Sequence, residues 1–426
     1  MERLRARGTG SVTLLVQLMA GLALCLALMS APTLGRGFWD RAYRANLPMP
    51  TLAAWNAPDQ LPVIPASSKA GIGCYLGTVC PAEQIPQALV ELERLPVNWA
   101  RTEIPWAGVE PSRGVFNWKP WDQVVNSLHA RHYRTLGMLC YWNSWSDPYS
   151  DEAIEAFGGY AERVARRYRG RVAAWEIWNE PNDQVYWKST PGRYVRLMRA
   201  AYEGVKRGNP EAIVVGGSLS GVDLTYLRQI LDAGGAQWMD FLSVHPYSFG
   251  WEPEDALLIQ ELRGAADLMV RAGKPGRLWV TEIGTLVRPA RQAQQLERTW
   301  TLIHQSGVVD TIFWFCLYQP GATGYSIFDS NWKPKPSVEA LRGVVPRLRD
   351  TVPIGSGVPA DLQAPWAAGT PHALSPLQAW GFRRGEQLTT VRWCPEGEVA
   401  ISRVGGGLPE VLGPGPCWET TPHYRR

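Results

Sequence analysis

Charged residues are scarce in this chain, 19% of 426, and no long run gathers the basic ones. A nucleic-acid surface needs Lys and Arg clustered on one face, so a net charge of +4 does not point to that partner. Histidines number 6 and cysteines 7, with no CxxC pair and no His/Cys cluster at metal spacing. Neither a metal nor an organic cofactor is therefore expected. No GxGxxG follows the first strand-like run, which argues against a dinucleotide-binding fold. The low charge and the 45% apolar content together exclude a disordered chain and point to a globular one.

Tryptophan is abundant, with 21 copies. Indole faces pack cores, but they also stack on the apolar faces of sugar rings, so the count leans toward carbohydrate. The N-terminus carries Arg3, Arg5 and Arg7 before an apolar run from Val12 to Met29, long enough to span a bilayer. Residues 1–35 read as a signal anchor or, alternatively, a cleaved signal peptide, and the basic flank leaves the rest of the chain outside the cytoplasm. An exported chain suits disulfides, and the pairs Cys74–Cys80 and Cys394–Cys417 are the expected ones, with Cys140 and Cys316 as buried thiols.

Residues 36–69 are rich in Pro and Ala and read as a linker. From 70 to 350, strand signals alternate with amphipathic stretches, the α/β pattern. Eight strands are expected: Gly71–Leu76, Trp99–Ile104, Thr135–Tyr141, Ala173–Trp178, Ile213–Gly217, Phe241–Val244, Leu278–Thr281 and Thr311–Leu317. Helical signals such as Ile154–Tyr168, Tyr194–Arg207, Glu254–Ala272 and Ala290–Gln305 fall between them. Eight such units predict a (β/α)8 TIM barrel, with a doubly wound open sheet as the alternative. Residues 351–426 turn to Pro, Gly and short alternating runs and predict a small antiparallel β appendage of three or four strands.

Two segments carry chemistry. Trp175-Glu176-Ile177-Trp178-Asn179-Glu180-Pro181 is an apolar strand that delivers Asn179 and Glu180 at its carboxyl end, where barrel active sites are built. Pro181 cannot extend a ladder, so the chain leaves the sheet there. Trp279-Val280-Thr281-Glu282-Ile283-Gly284 repeats the arrangement. The two glutamates end strands 4 and 7, which closure brings to one mouth. Hydrolysis with retained configuration needs two carboxyl groups about 5 Å apart, one protonated and one ionised. Glu176, inside the strand, reads as a structural carboxylate paired with a base such as Arg101. Glu103, Glu110, Asp147 and Asp183 read as solvated or capping residues, and Trp142, Trp145, Trp187 and Trp251 as cleft platforms.

Over residues 70–341 these motifs resemble glycoside hydrolase clan A, family 39 most of all and family 5 cellulases next. The resemblance implies Glu180 as general acid/base in Asn-Glu-Pro and Glu282 as nucleophile in Thr-Glu. It implies Asn179 as a contact to the sugar 2-hydroxyl and Arg101 as support for the nucleophile. His245 and Tyr247 of His245-Pro246-Tyr247 look like the clan's His and Tyr pair, whose tyrosine hydroxyl reaches the nucleophile. Trp314 matches an indole that floors the attacked sugar's subsite. Strand 3 ends Tyr141-Trp142-Asn143, where some members carry histidine, and Trp142 and Asn143 are the substrate contacts there. Trp380-Gly381-Phe382-Arg383-Arg384 and Trp393 are similar to strands of the family's accessory β-sandwich, here shortened.

The activity implied is a retaining glycosidase acting on β-linked glycan by double displacement. A transglycosylase on the same scaffold and a catalytically inactive carbohydrate-binding surface protein are the alternatives. The partners implied are the β-linked glycan and, through the N-terminal run, the membrane; no nucleic acid is implied, and a monomer is expected.

Overall fold

The computed structural model describes residues 70–247, 252–253, 257–320, 324–356, 362–363, 378–385, 387–394, 399–403, 410–412 and 414–421. The N-terminal apolar run, the linker and Trp251 lie outside the described residues. Among the described residues no helix is long and apolar enough to cross a membrane.

Eight parallel strands close into a barrel in chain order. They are β1 (Ala70–Gly73), β2 (Trp99–Pro105), β3 (Arg134–Cys140), β4 (Ala174–Ile177), β5 (Ile213–Ser220), β6 (Phe241–His245), β7 (Leu278–Ile283) and β8 (Val309–Trp314). A helix follows each: α1 (Ile85–Glu93), α2 (Lys119–His129), α3 (Asp151–Arg167), α4 (Pro191–Gly208), α5 (Leu224–Asp232), α6 (Leu258–Arg271), α7 (Pro289–Gln305) and α8 (Pro336–Leu348). The predicted barrel is therefore the observed one, and the doubly wound alternative is set aside.

Local chemistry sets the helix ends. Ser150 accepts a hydrogen bond from the Ala153 amide at the start of α3, whose first turn holds Asp151 and Glu152 and whose last holds Arg166 and Arg167. That arrangement satisfies a free amide and complements the helix dipole. Thr190 caps α4 with Pro191 at its first position, and Asp223 caps α5.

The barrel interior fills in layers. Trp99, Leu136, Ala174, Val215, Trp279 and Phe313 form one buried cluster drawn from six strands, which only the interior can bring together. Side chains alternate along a strand, so two residues further on Arg101, Met138, Glu176, Thr281 and Phe315 face inward one layer nearer the mouth.

After α8 come β9 (Val352–Ser356), β10 (Leu362–Gln363), β11 (Gln378–Arg384), β12 (Gln387–Trp393), β13 (Val399–Arg403), β14 (Glu410–Leu412) and β15 (Cys417–Thr421). They form an antiparallel sheet ordered β15-β12-β11-β9 and a three-stranded sheet ordered β10-β13-β14. The appendage thus has more strands than the three or four expected, because two- and three-residue strands leave no alternation to read. Phe382 of the larger sheet lies against His304 of α7, with ring centroids 5.5 Å apart.

The expected disulfides are corrected: no disulfide joins the described cysteines. Cys417 pairs across the sheet with Arg392, so Cys394 stands two residues off. Such a diagonal puts Cα atoms about 7–8 Å apart, beyond disulfide reach. Likewise Cys80 bridges Leu76, while Cys74 turns its sulfur toward the Arg101 carbonyl at 3.4 Å.

Candidate active site

Glu180 and Glu282 arrive at the same mouth by different local devices. After β4 the chain turns sharply, with Trp178 at φ 69° and Glu180 at φ 43°. The left-handed region disfavours side chains, and here it is held by the Glu180 amide donating to the Ser218 carbonyl at 2.9 Å. Ser218 also has φ 48°, at a register shift in β5. A second shift interrupts β7 between Val280 and Ile283. Bulges re-aim side chains, and this one lets the consecutive residues Thr281 and Glu282 both face the site.

His245, at the end of β6, joins the two carboxylates. Its Nδ1 lies 3.0 Å from Glu180 Oε1 and 3.1 Å from Glu282 Oε2. Its Nε2 lies 3.2 Å from Ser218 Oγ and 3.1 Å from Thr281 Oγ1. Burial lowers the imidazole to about 4 against the opposite pull of Glu282, so the ring is neutral near pH 7. The two hydroxyls can donate to Nε2, which leaves the single proton on Nδ1 between the carboxylates. The facing atoms of Glu180, His245 and Glu282 all lie within 4.8 Å of one another. By distance they could bracket a cation, but the Arg101 guanidinium already sits against Glu282.

Around Glu282 the donors converge. Tyr75 donates its hydroxyl to Glu282 Oε1 at 2.5 Å, and Arg101 Nη1 reaches the same oxygen at 3.2 Å and also the Tyr75 hydroxyl. Arg101 Nε binds Glu176 Oε2 at 2.7 Å, with both side chains fully buried. Ser243 donates to the other Glu176 oxygen at 2.8 Å. Burial opposes the Glu176 ion, yet the Arg101 guanidinium holds its carboxyl below the usual range. The structural pairing of Glu176 with Arg101 read from the sequence is thus the observed one.

Glu180 has the opposite environment. Burial first, and then the neighbouring Asp183 charge, push its carboxyl up to about 8. Asp183 itself accepts from the Val185 amide at 2.8 Å and closes the turn. One carboxyl is thus kept protonated at neutral pH, while the other is bonded by a guanidinium, a phenol and an imidazole.

The remaining expected residues separate. Asn179 is buried beside Glu180. Tyr247 is half-buried, edge-on to Tyr325 at 5.6 Å, and its phenol is raised by burial and by the Glu282 charge. The Tyr75 phenol also lies within hydrogen-bond distance of Glu282, and the sequence marks Tyr75 only as a residue of the first expected strand. Trp314 is 1% exposed and out of phase with the inward residues, so it packs outside the barrel. Its neighbour Phe315 supplies the ring at the mouth, edge-on to Tyr75 at 5.4 Å.

Asn143 is buried and accepts from the Ser146 amide. Trp142 is half-buried and stacks on Trp187 at 6.0 Å, tilted over Trp178 at 5.0 Å. Trp187, at 1% exposure, is the interior of this aromatic cluster and not a platform. Trp145 donates to the Glu110 carbonyl at 3.0 Å. Glu110 holds Trp106 Nε1 and the Gly114 amide, a loop-closing role.

No protein-family profile matches the chain. A family 39 glycoside hydrolase from the gut symbiont Bacteroides cellulosilyticus WH2 superposes with a TM-score of 0.70 at 18% identity, covering 84% of this chain and 82% of that one. The fold is that of the family 39 glycoside hydrolases. A monomeric beta-xylosidase from Caulobacter crescentus CB15 superposes with a TM-score of 0.57 at 18% identity, covering 78% of this chain and 74% of that one. In sequence, an endo-1,4-beta-xylanase 2 of Claviceps purpurea is 23% identical over 262 residues, 55% of this chain and 75% of the relative.

Proposed function

We propose that the chain is a retaining glycoside hydrolase that cleaves β-glycosidic bonds, with xylan-type chains or β-xylosides as the first substrates to try. The observation that carries this reading is the pair Glu180 and Glu282, with carboxylate oxygens within 4.8 Å of each other at the ends of β4 and β7. Retaining enzymes hold their carboxyl groups about 5–5.5 Å apart, and inverting ones leave room for a water at about 6.5–9.5 Å. The named activities of the similar proteins, a beta-xylosidase and an endo-1,4-beta-xylanase, supply the sugar.

In the first step Glu180, protonated, gives its proton to the glycosidic oxygen as that bond breaks. Glu282 attacks the anomeric carbon and forms a glycosyl-enzyme. Arg101 and Tyr75 hold the Glu282 carboxylate in line. Glu180, now ionised, then takes a proton from water, which releases the sugar with its configuration kept. Asn179 and Tyr247 are proposed as substrate contacts beside the pair. The Arg-flanked apolar run at the N-terminus supports work outside the cytoplasm.

The test is reducing-end release from xylan and from aryl β-glycosides, with product anomers followed by NMR. Glu282→Gln and Glu180→Gln should each lower the rate on xylan by about 10² or more, and the first-formed product should be the β-anomer. Near-normal turnover in Glu282→Gln, or an α-anomer first, contradicts the assignment.

A further inference from the structure

Glu103 is an acidic residue of this mouth that the mechanism above does not use. It lies on β2 two residues beyond Arg101, hence on the same inward face and one layer nearer the opening. Arg101 and Glu176 below it are fully buried, whereas Glu103 is half-exposed. In register Glu103 stands beside Met138 of β3, and Arg101 of the same strand stands beside Gly73 of β1, so the carboxyl sits over the ends of β1, β2 and β3, close enough to Glu282 of β7 to feel its charge.

Its partners are few. The Thr78 hydroxyl lies beside it and donates to the Tyr75 carbonyl at 3.2 Å. Arg101 spends its guanidinium elsewhere: Nε on Glu176, Nη1 on Tyr75 and Glu282, and Nη2 against Met138 Sδ at 3.1 Å. Among the described residues no basic group lies within ion-pair distance of Glu103. A carboxyl has about four acceptor sites, so most of its capacity faces the opening. Burial pushes the carboxyl up, Thr78 and Arg101 pull it down, and Glu282 pushes it up again.

We propose that Glu103 is a substrate-contacting residue that sets which sugars the site accepts. Its carboxyl takes hydrogen bonds from hydroxyls of a neutral sugar ring held against Glu282, and it excludes rings that carry a carboxylate of their own. The exclusion follows from charge: with Glu180 and His245 neutral, Arg101 offsets only one of the anions Glu176 and Glu282, and an ionised Glu103 adds a second uncompensated negative charge nearer the opening. The inference rests on the glycosidase reading above.

The experiment compares kcat/KM on 4-nitrophenyl β-xyloside and 4-nitrophenyl β-glucuronide for the full chain and for Glu103→Gln, with folding checked by thermal melting. Glutamine keeps the shape and removes the charge. The parent should prefer the xyloside by at least about a hundredfold, and Glu103→Gln should narrow that ratio by about tenfold or more. Thr78→Val, which removes the polar neighbour of the carboxyl, should raise KM on the xyloside severalfold with kcat nearly kept. A ratio unmoved in Glu103→Gln, with xyloside KM unmoved in Thr78→Val, overturns the proposal and leaves the glycosidase reading standing. A parent that releases no more sugar from any glycoside or from xylan than Glu180→Gln does overturns both.

Discussion

At the scale of single residues, the site works by giving two chemically identical groups opposite surroundings. Glu180 sits where burial favours the neutral acid, and its carboxyl is raised to about 8. If Glu180 is the general acid, as proposed, the alkaline limb of kcat/KM should fall near pH 8, as its carboxyl loses its proton. The same shift predicts a stability change. A raised folded-state value means stability that is full below the ordinary carboxyl range and lost as pH rises toward about 8. Glu180→Gln should thus melt higher than the parent at pH 8, and the gap should close by pH 4. An equal gap at both pH values would show that the carboxyl is not held neutral by the fold.

Tyr75 allows a sharper test of the nucleophile. Its hydroxyl donates to Glu282 Oε1, and Arg101 touches both. Tyr75→Phe removes a hydrogen bond to a charged group, worth about 1.5–3 kcal/mol. We expect kcat to fall by about tenfold to a hundredfold with KM little changed. A rise in KM alone would mean that Tyr75 serves binding and not the alignment of Glu282.

At the scale of elements, the site depends on two irregular strands and one tight helix pair. The register shifts in β5 and β7 place Ser218, Thr281 and Glu282 around His245. Behind β3 and β4, α3 and α4 approach so closely that a Cβ on Gly204 would lie 2.2 Å from the Gly158 carbonyl oxygen. That contact is backbone on backbone, so no side chain can swing away. Gly204→Val should cost about 2 kcal/mol or more, the scale of overpacking, read as a lower denaturation midpoint. A midpoint within error of the parent would show that the helices can separate without loss.

At the scale of the whole molecule, neither of the expected disulfides closes, so stability rests on packing. Arg101 and Glu176 at the centre of the barrel and the neutral His245 above them are all fully buried. A disulfide of a native fold contributes about 2–4 kcal/mol; with Cys74, Cys80, Cys394 and Cys417 free, excess dithiothreitol should leave the melting temperature unchanged. A fall of several degrees would show a bond between cysteines. Strands β10, β14 and β9 show why the sequence undercounts the appendage. Strands of two or three residues, and one containing Pro353 and Gly355, carry no period to read, and pairing partners create them.

The sequence by itself determined the barrel and the two glutamates. Apolar strands that end in Asn179-Glu180 and Glu282, with amphipathic helices between, have few ways to bury their faces, and closure puts both strand ends at one mouth. It also determined the Glu176 partnership, since a carboxylate inside an apolar strand must be paired. Tertiary structure decided the rest. That the Tyr75 phenol reaches Glu282 depends on where the chain turns after β1. Whether Trp314 or Phe315 faces the sugar depends on strand phase, which the buried layer of Phe313 and Trp279 sets. The carboxyl separation and the elevated proton affinity of Glu180 depend on through-space distance and burial. No spacing along the chain encodes those quantities, because they belong to groups about a hundred residues apart that meet only when the barrel closes.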